Sequence, residues 1–232
     1  AATSGSPDRT RHALALLLLL AAAPPALAQV GYPPDKSPYR DIPKKMSLTA
    51  LFGYFGGTGG NLGLGPHDGP TYGGRFGIAV SGPLEISFAV QYADLIGARV
   101  YRDAEDNLAV SGTLPSPIWL FETDIQYTIT GGKTWHGFAP YIGGGIGYAW
   151  RSSATEGPDA YDFGGRFFWA PFAGTRYYVN PRSFIRAEIR GAFYRLAYPP
   201  YYYEEITGII ESYAINNYLS NVWYQVGFGY SF

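Results

Sequence analysis

From residue 46 onward the chain alternates between apolar and polar positions with a period of two. The clearest stretch is Leu84–Ala93, where Leu84, Ile86, Phe88, Val90 and Tyr92 oppose Glu85, Ser87, Ala89 and Gln91. Successive side chains of a strand point to opposite faces, so this pattern marks a strand with one greasy face. It recurs in eight segments, approximately Met46–Phe55, Thr71–Val80, Leu84–Ala93, Ile118–Ile129, Ala139–Trp150, Arg166–Tyr178, Ser183–Tyr194 and Val222–Phe232. The sixth is ambiguous, because both of its faces carry aromatics. Clusters of Gly, Pro, Asn and Asp separate the segments, as strand connections require.

No window after residue 45 is apolar for long enough to make a transmembrane helix. A tilted strand of about ten residues does cross a bilayer, and alternating segments of that length are the signature of a membrane barrel. The pattern therefore predicts an all-β fold over 46–232, an eight-stranded antiparallel up-and-down transmembrane β-barrel. A secreted soluble barrel is the rival, but it keeps its apolar side chains inside. Here one uniform apolar face meets a second face of Gly, Ser, Thr, Gln and charges. An outward row of Leu, Ile, Phe and Tyr would aggregate in water. Short links follow the second and sixth segments and a moderate one follows the fourth, whereas the other links are long. Outer-membrane barrels have short periplasmic turns and long outer loops, which orients the chain.

Residues 1–28 read as an export signal. Arg9, Arg11 and His12 precede an apolar run from Ala13 to Ala23, Pro24-Pro25 ends it, and Ala26-Leu27-Ala28 supplies a small-x-small cleavage pattern. Residues 29–45 form a Pro-rich tether with no periodicity, expected to be extended and mobile.

Composition narrows the chemistry. The chain of 232 residues holds 31 Gly, 21 Tyr, 14 Phe and 5 Trp, with 15% charged residues, too aromatic for a disordered chain. It has no Cys, which excludes disulfides, thiolate metal sites and a Cys nucleophile. A net charge of −1 offers no basic field for nucleic acid.

Three stretches resemble the small outer-membrane β-barrel family, the group with OmpA-like, OmpX-like and OmpW-like members. They are Ala139–Tyr148 with its alternating glycines, Gly174–Tyr178 with Asn180-Pro181 and Arg186–Glu188, and Tyr224–Phe232. The last resembles a C-terminal assembly signal carried by Tyr224, Val226, Phe228, Tyr230 and Phe232. The resemblance implies a barrel placed in the bacterial outer membrane by the assembly machinery, with lipid and lipopolysaccharide around a monomer. It implies no single activity, since such barrels include anchors, adhesins, small pores and lipid-modifying enzymes.

The inward face collects Arg75, Arg166, Arg176, Arg186 and Arg190 against Glu85, Glu122, Asp124 and Glu188. Counted from the short turns, Arg75, Glu122, Asp124, Arg186, Glu188 and Arg190 fall at one mid-barrel depth, where guanidinium–carboxylate pairs form a plug or line a narrow path. After the signal only His67 and His136 remain, expected in an outer loop and a periplasmic turn, where they share no site, and His67-Asp68 has no evident partner for the His–Ser pair that acyl chemistry needs. Neither the glycine runs nor the carboxylates carry a phosphate- or metal-binding spacing, and no cofactor is expected. The expected outer loops hold eleven acids against four arginines. Tyr201, Tyr202 and Tyr203, stiffened by Pro199-Pro200, are candidates for surface contact. The reading is a structural or surface-contact barrel without catalysis, the alternatives being a narrow solute channel and, third, an enzyme on lipid acyl chains.

Overall fold

Alternation with period two leaves each strand amphipathic, and a sheet of such strands can bury one face by closing on itself. The computed structural model of the chain describes residues 36–43, 45–60, 63, 65–102, 108–151, 163–197 and 216–232. Contacts divide the chain into two units, Ala1–Ser37 and Pro38–Phe232. Of the first unit only Lys36 and Ser37 are described, so the expected export signal lies outside the described residues. Tyr201–Tyr203 also lie outside them.

Eight strands build the second unit's barrel: β1 (Met46–Thr58), β2 (His67–Ala79), β3 (Leu84–Ala93), β4 (Ile118–Thr128), β5 (Phe138–Trp150), β6 (Gly165–Tyr178), β7 (Ser183–Ala197) and β8 (Asn216–Ser231). Each pairs antiparallel with the next, and β8 pairs back onto β1 from Val222↔Gly56 to Ser231↔Ser47. The ring is closed, so no sheet edge remains in its wall. At one end the links are short, as at Val80–Pro83 and Val179–Arg182; at the other they are long.

Several strands run farther toward the long-loop end than alternation alone indicates. β1 continues to Thr58, β7 to Ala197, and β8 begins at Asn216. His67, expected in a loop, is the first residue of β2 and pairs with Thr58 across an irregular register. Backbone pairing carries these extensions where side-chain pattern does not. The link between β3 and β4 holds its own hairpin, Ile96–Arg102 against Leu108–Pro115.

The Pro-rich stretch also departs from expectation. Rather than a wholly mobile tether, Tyr39–Asp41 forms a three-residue strand against Lys133–Trp135 in the β4–β5 link. The three residues between Pro38 and Ile42 retain their N–H groups and meet an open edge. A run that short leaves no periodic trace.

Outward side chains are apolar on every strand. Leu48, Phe52, Ile125, Ile146, Trp169, Val226 and Phe228 are each more than half exposed. A single register row carries Tyr72, Tyr92, Trp119 and Trp150 on β2 to β5, and the first three rings lie 5.3 and 5.2 Å apart in succession. Phe138 and Tyr177 meet at 4.8 Å near the short-turn end. Two aromatic girdles bounding an apolar band form the wall of a lipid-embedded barrel.

Candidate functional site

The barrel interior is layered. Nearest the short turns, Arg176 on β6 grips Glu85 on β3 in a bidentate pair at 2.7 and 2.5 Å and also donates to Gln126 at 3.2 Å. Its guanidinium lies over Phe184 at 5.1 Å and Tyr141 at 5.7 Å. Two parallel charge-assisted bonds fix both groups in one orientation.

Above this pair comes a layer of three arginines and three carboxylates. Arg190 donates to Asp124 at 2.7 Å and Glu122 at 3.1 Å, and lies 3.3 Å from Glu188. Arg75 lies 3.1 Å from Asp124 and 3.6 Å from Glu188. Arg186 bonds Glu188 beside it on the same face of β7. All six side chains are buried. Charges removed from water are tolerated only when paired, and three against three balances within the layer, with Arg75 held by ion pairs alone. Aromatics floor and roof it: Arg186 sits 4.5 Å from the Tyr141 ring centre and Arg190 sits 4.5 Å from that of Phe172. Such cation–π contacts, each about 0.5–2 kcal/mol, recover part of the desolvation cost.

Amides and hydroxyls follow. Gln225 donates to Gln91 at 2.8 Å, and the Trp223 indole N–H donates to Thr71 at 3.0 Å. The long-loop half is apolar, a cluster that includes Phe55, Leu120, Phe163, Phe168, Leu196 and Trp223. The lumen is therefore not polar throughout, contrary to the alternation-based expectation. Tyr194 belongs to this interior and accepts from Asn221 at 3.0 Å.

Glycines make room for this filling. Directly across from Phe172 stands Gly143, across from Phe168 stands Gly147, and across from Phe184 stands Gly229. A Cβ at any of the three glycines would overlap the facing ring. Ring and gap are therefore matched strand by strand, as close packing of a narrow lumen requires.

The interior brings together eight of the nine inward charges read from the sequence: Arg75, Glu122, Asp124, Arg186, Glu188 and Arg190 in one layer, Glu85 and Arg176 in the other. The ninth, Arg166, is half-buried at the long-loop end of β6, away from both. Tyr224, Val226, Phe228, Tyr230 and Phe232 all point outward. His67 starts β2 at the long-loop end, and His136 lies in the link at the opposite end. They share no site. Among the described residues, no group of three or more His, Cys, Asp or Glu is placed to hold a metal ion.

Solved structures share this architecture. Neisserial surface protein A (NspA), from Neisseria, is 13% identical, with 84% of this chain and 98% of that chain covered and a TM-score of 0.51. The fold is that of the small outer-membrane β-barrels. The outer membrane protein OprG from Pseudomonas aeruginosa is 15% identical over 82% of this chain and 96% of its own, with a TM-score of 0.49. The N-terminal β-barrel domain of Pseudomonas aeruginosa OprF is 14% identical over 80% and 98%, at 0.45. No protein-family model and no curated protein matches the sequence. In this barrel, the feature that sequence reasoning missed is the apolar half of the lumen. Its signal was the second aromatic face of β6, together with inward Leu51, Phe55 and Trp223.

Proposed function

We propose that this outer-membrane barrel is solid rather than a conduit, and that its work is to fasten surface loops to the membrane. The observation that carries the reading is the balanced layer of Arg75, Arg186 and Arg190 with Glu122, Asp124 and Glu188, which leaves no surplus charge to draw an ion in. The apolar cluster above it raises a second barrier, since a hydrated solute entering there loses water without gaining partners.

In this reading the short turns face the periplasm and the long loops face outward. Lipid and lipopolysaccharide surround a monomer, and the assembly machinery reads the outward aromatics of β8. In this reading catalysis has no part. Tyr201, Tyr202 and Tyr203 belong to the last long link and supply contact area toward a surface or glycan.

Swelling of proteoliposomes in small sugars and amino acids tests the reading. Refolded full-length protein should swell no faster than protein-free vesicles. Solute-dependent swelling would overturn it in favour of a narrow channel.

A further inference from the structure

The segment Pro38–Pro43 occupies a telling position. At one side it is bound to the β4–β5 link: Tyr39, Arg40 and Asp41 pair with Trp135, Thr134 and Lys133. The Ile42 N–H donates to Gly132 O, and the His136 N–H donates to Pro38 O, each at 2.9 Å. At the other side the chain enters β1, where Lys45 O accepts from the Ala79 N–H at 2.7 Å. In a ring of eight strands, the link from β4 to β5 lies on the wall opposite β1. The segment therefore crosses the short-turn mouth from wall to wall.

Two cavities flank it. One, of about 340 Å³, lies between Asp41, Ile42 and Pro43 and the β2–β3 turn at Ser81–Pro83, with Ser47, Glu85 and Arg176 on its inner side. The other, of about 470 Å³, lies between the same three residues and the β6–β7 turn at Asn180 and Pro181. The segment splits one mouth into two openings. Each is near the lower limit for a small-molecule cavity.

The hold is light. Only three residues pair, and a two-stranded pairing of this length is marginal by itself. The Lys133–Asp41 ion pair is 3.8 Å long and mostly exposed, a geometry that contributes little. Ile42 is the half-buried apolar anchor between Pro38 and Pro43. Elements with few buried contacts and exposed backbone bonds open first.

We propose that residues 38–43 are a displaceable crossbar over the short-turn mouth. When paired, it admits only solutes that fit one half of the vestibule. When unpaired, it opens the whole vestibule down to the Glu85–Arg176 pair. The inference does not depend on whether the lumen beyond that pair conducts.

The absence of cysteine makes the test clean. A single Ser47→Cys in the full chain places a thiol in the first cavity, and Arg182→Cys on the exposed β6–β7 turn serves as the reference. Modification by a small and by a bulky membrane-impermeant methanethiosulfonate is timed in the parent, in Arg40→Pro, which removes a backbone donor from the paired segment, and in a chain lacking residues 38–43. Heat-modifiable mobility checks that each barrel is folded. Both crossbar variants should speed the bulky reagent at Ser47→Cys roughly tenfold, the population shift that about 1.4 kcal/mol produces, and change the small reagent little. Amide exchange at residues 133–136 should quicken in step. Equal bulky-reagent rates in parent and deletion chain would overturn the proposal. So would Ser47→Cys with the crossbar intact reacting with the bulky reagent as fast as Arg182→Cys.

Discussion

Arg190 on β7 donates to Asp124 on β4 at 2.7 Å, joining opposite walls of the lumen through residues 66 positions apart. The same guanidinium reaches Glu122 and Glu188, so one cation on one strand organises carboxylates from two. In a narrow barrel this ties wall to wall without any backbone contact. It also makes each member dependent on the others, because a buried charge that loses its partner keeps its full desolvation cost.

Glu122→Ala or Glu188→Ala should therefore destabilise the barrel by about 3–5 kcal/mol. Reversible urea unfolding in lipid bilayers, followed by tryptophan emission, measures it. A loss under about 1 kcal/mol in both, the size of an exposed pair, would mark the layer as hydrated.

The pairing of rings with glycines gives a second outcome. A Cβ at Gly147 meets the Phe168 ring, and one at Gly143 meets Phe172. Gly147→Leu should cost about 1–3 kcal/mol or more through overpacking. Adding Phe168→Ala should restore part of that loss. Equal stability of parent and single variant would show that the interior has spare room.

The outer wall gives a third. Phe228 is more than half exposed on the apolar face of β8. Phe228→Arg places a charge among lipid chains and should cost about 2–4 kcal/mol at mid-depth, less nearer the interface. Removal of Phe232 should also lower the yield of membrane-embedded barrel. Heat-modifiable mobility after expression reads both, and unchanged amounts would contradict a lipid-facing β8.

The last long link gives a fourth. Replacing Tyr201, Tyr202 and Tyr203 together by Ser should leave the heat-modifiable barrel intact and weaken cell attachment to glycan-coated and protein-coated surfaces. Unchanged attachment on every surface, or failure to insert, would remove these tyrosines from a contact role.

The wall of the fold was legible because lipid and lumen impose opposite polarity on alternate residues. Leu84–Ala93 shows this without ambiguity, and its strand bounds agree with the structure. The charged layer was legible for the same reason: Arg75, Glu122 and Arg190 occupy inward positions at similar counts from the short turns. What escaped was the filling of the long-loop half. Alternation reports a contrast between faces, and β6 has none, with Phe167 and Trp169 outward and Phe168 and Phe172 inward. Only the register against β5 shows why inward rings fit, through Gly143 and Gly147. The crossbar escaped too, since three paired residues between prolines carry no period.

Single-channel recording of the refolded full-length chain in planar bilayers tests the central claim, that the lumen is closed, most directly. The balanced charge layer under an apolar cluster predicts a flat trace, with insertion verified by heat-modifiable mobility of protein recovered from the same preparation. Steady unitary currents from the unmodified chain, with a defined ion selectivity, would contradict it.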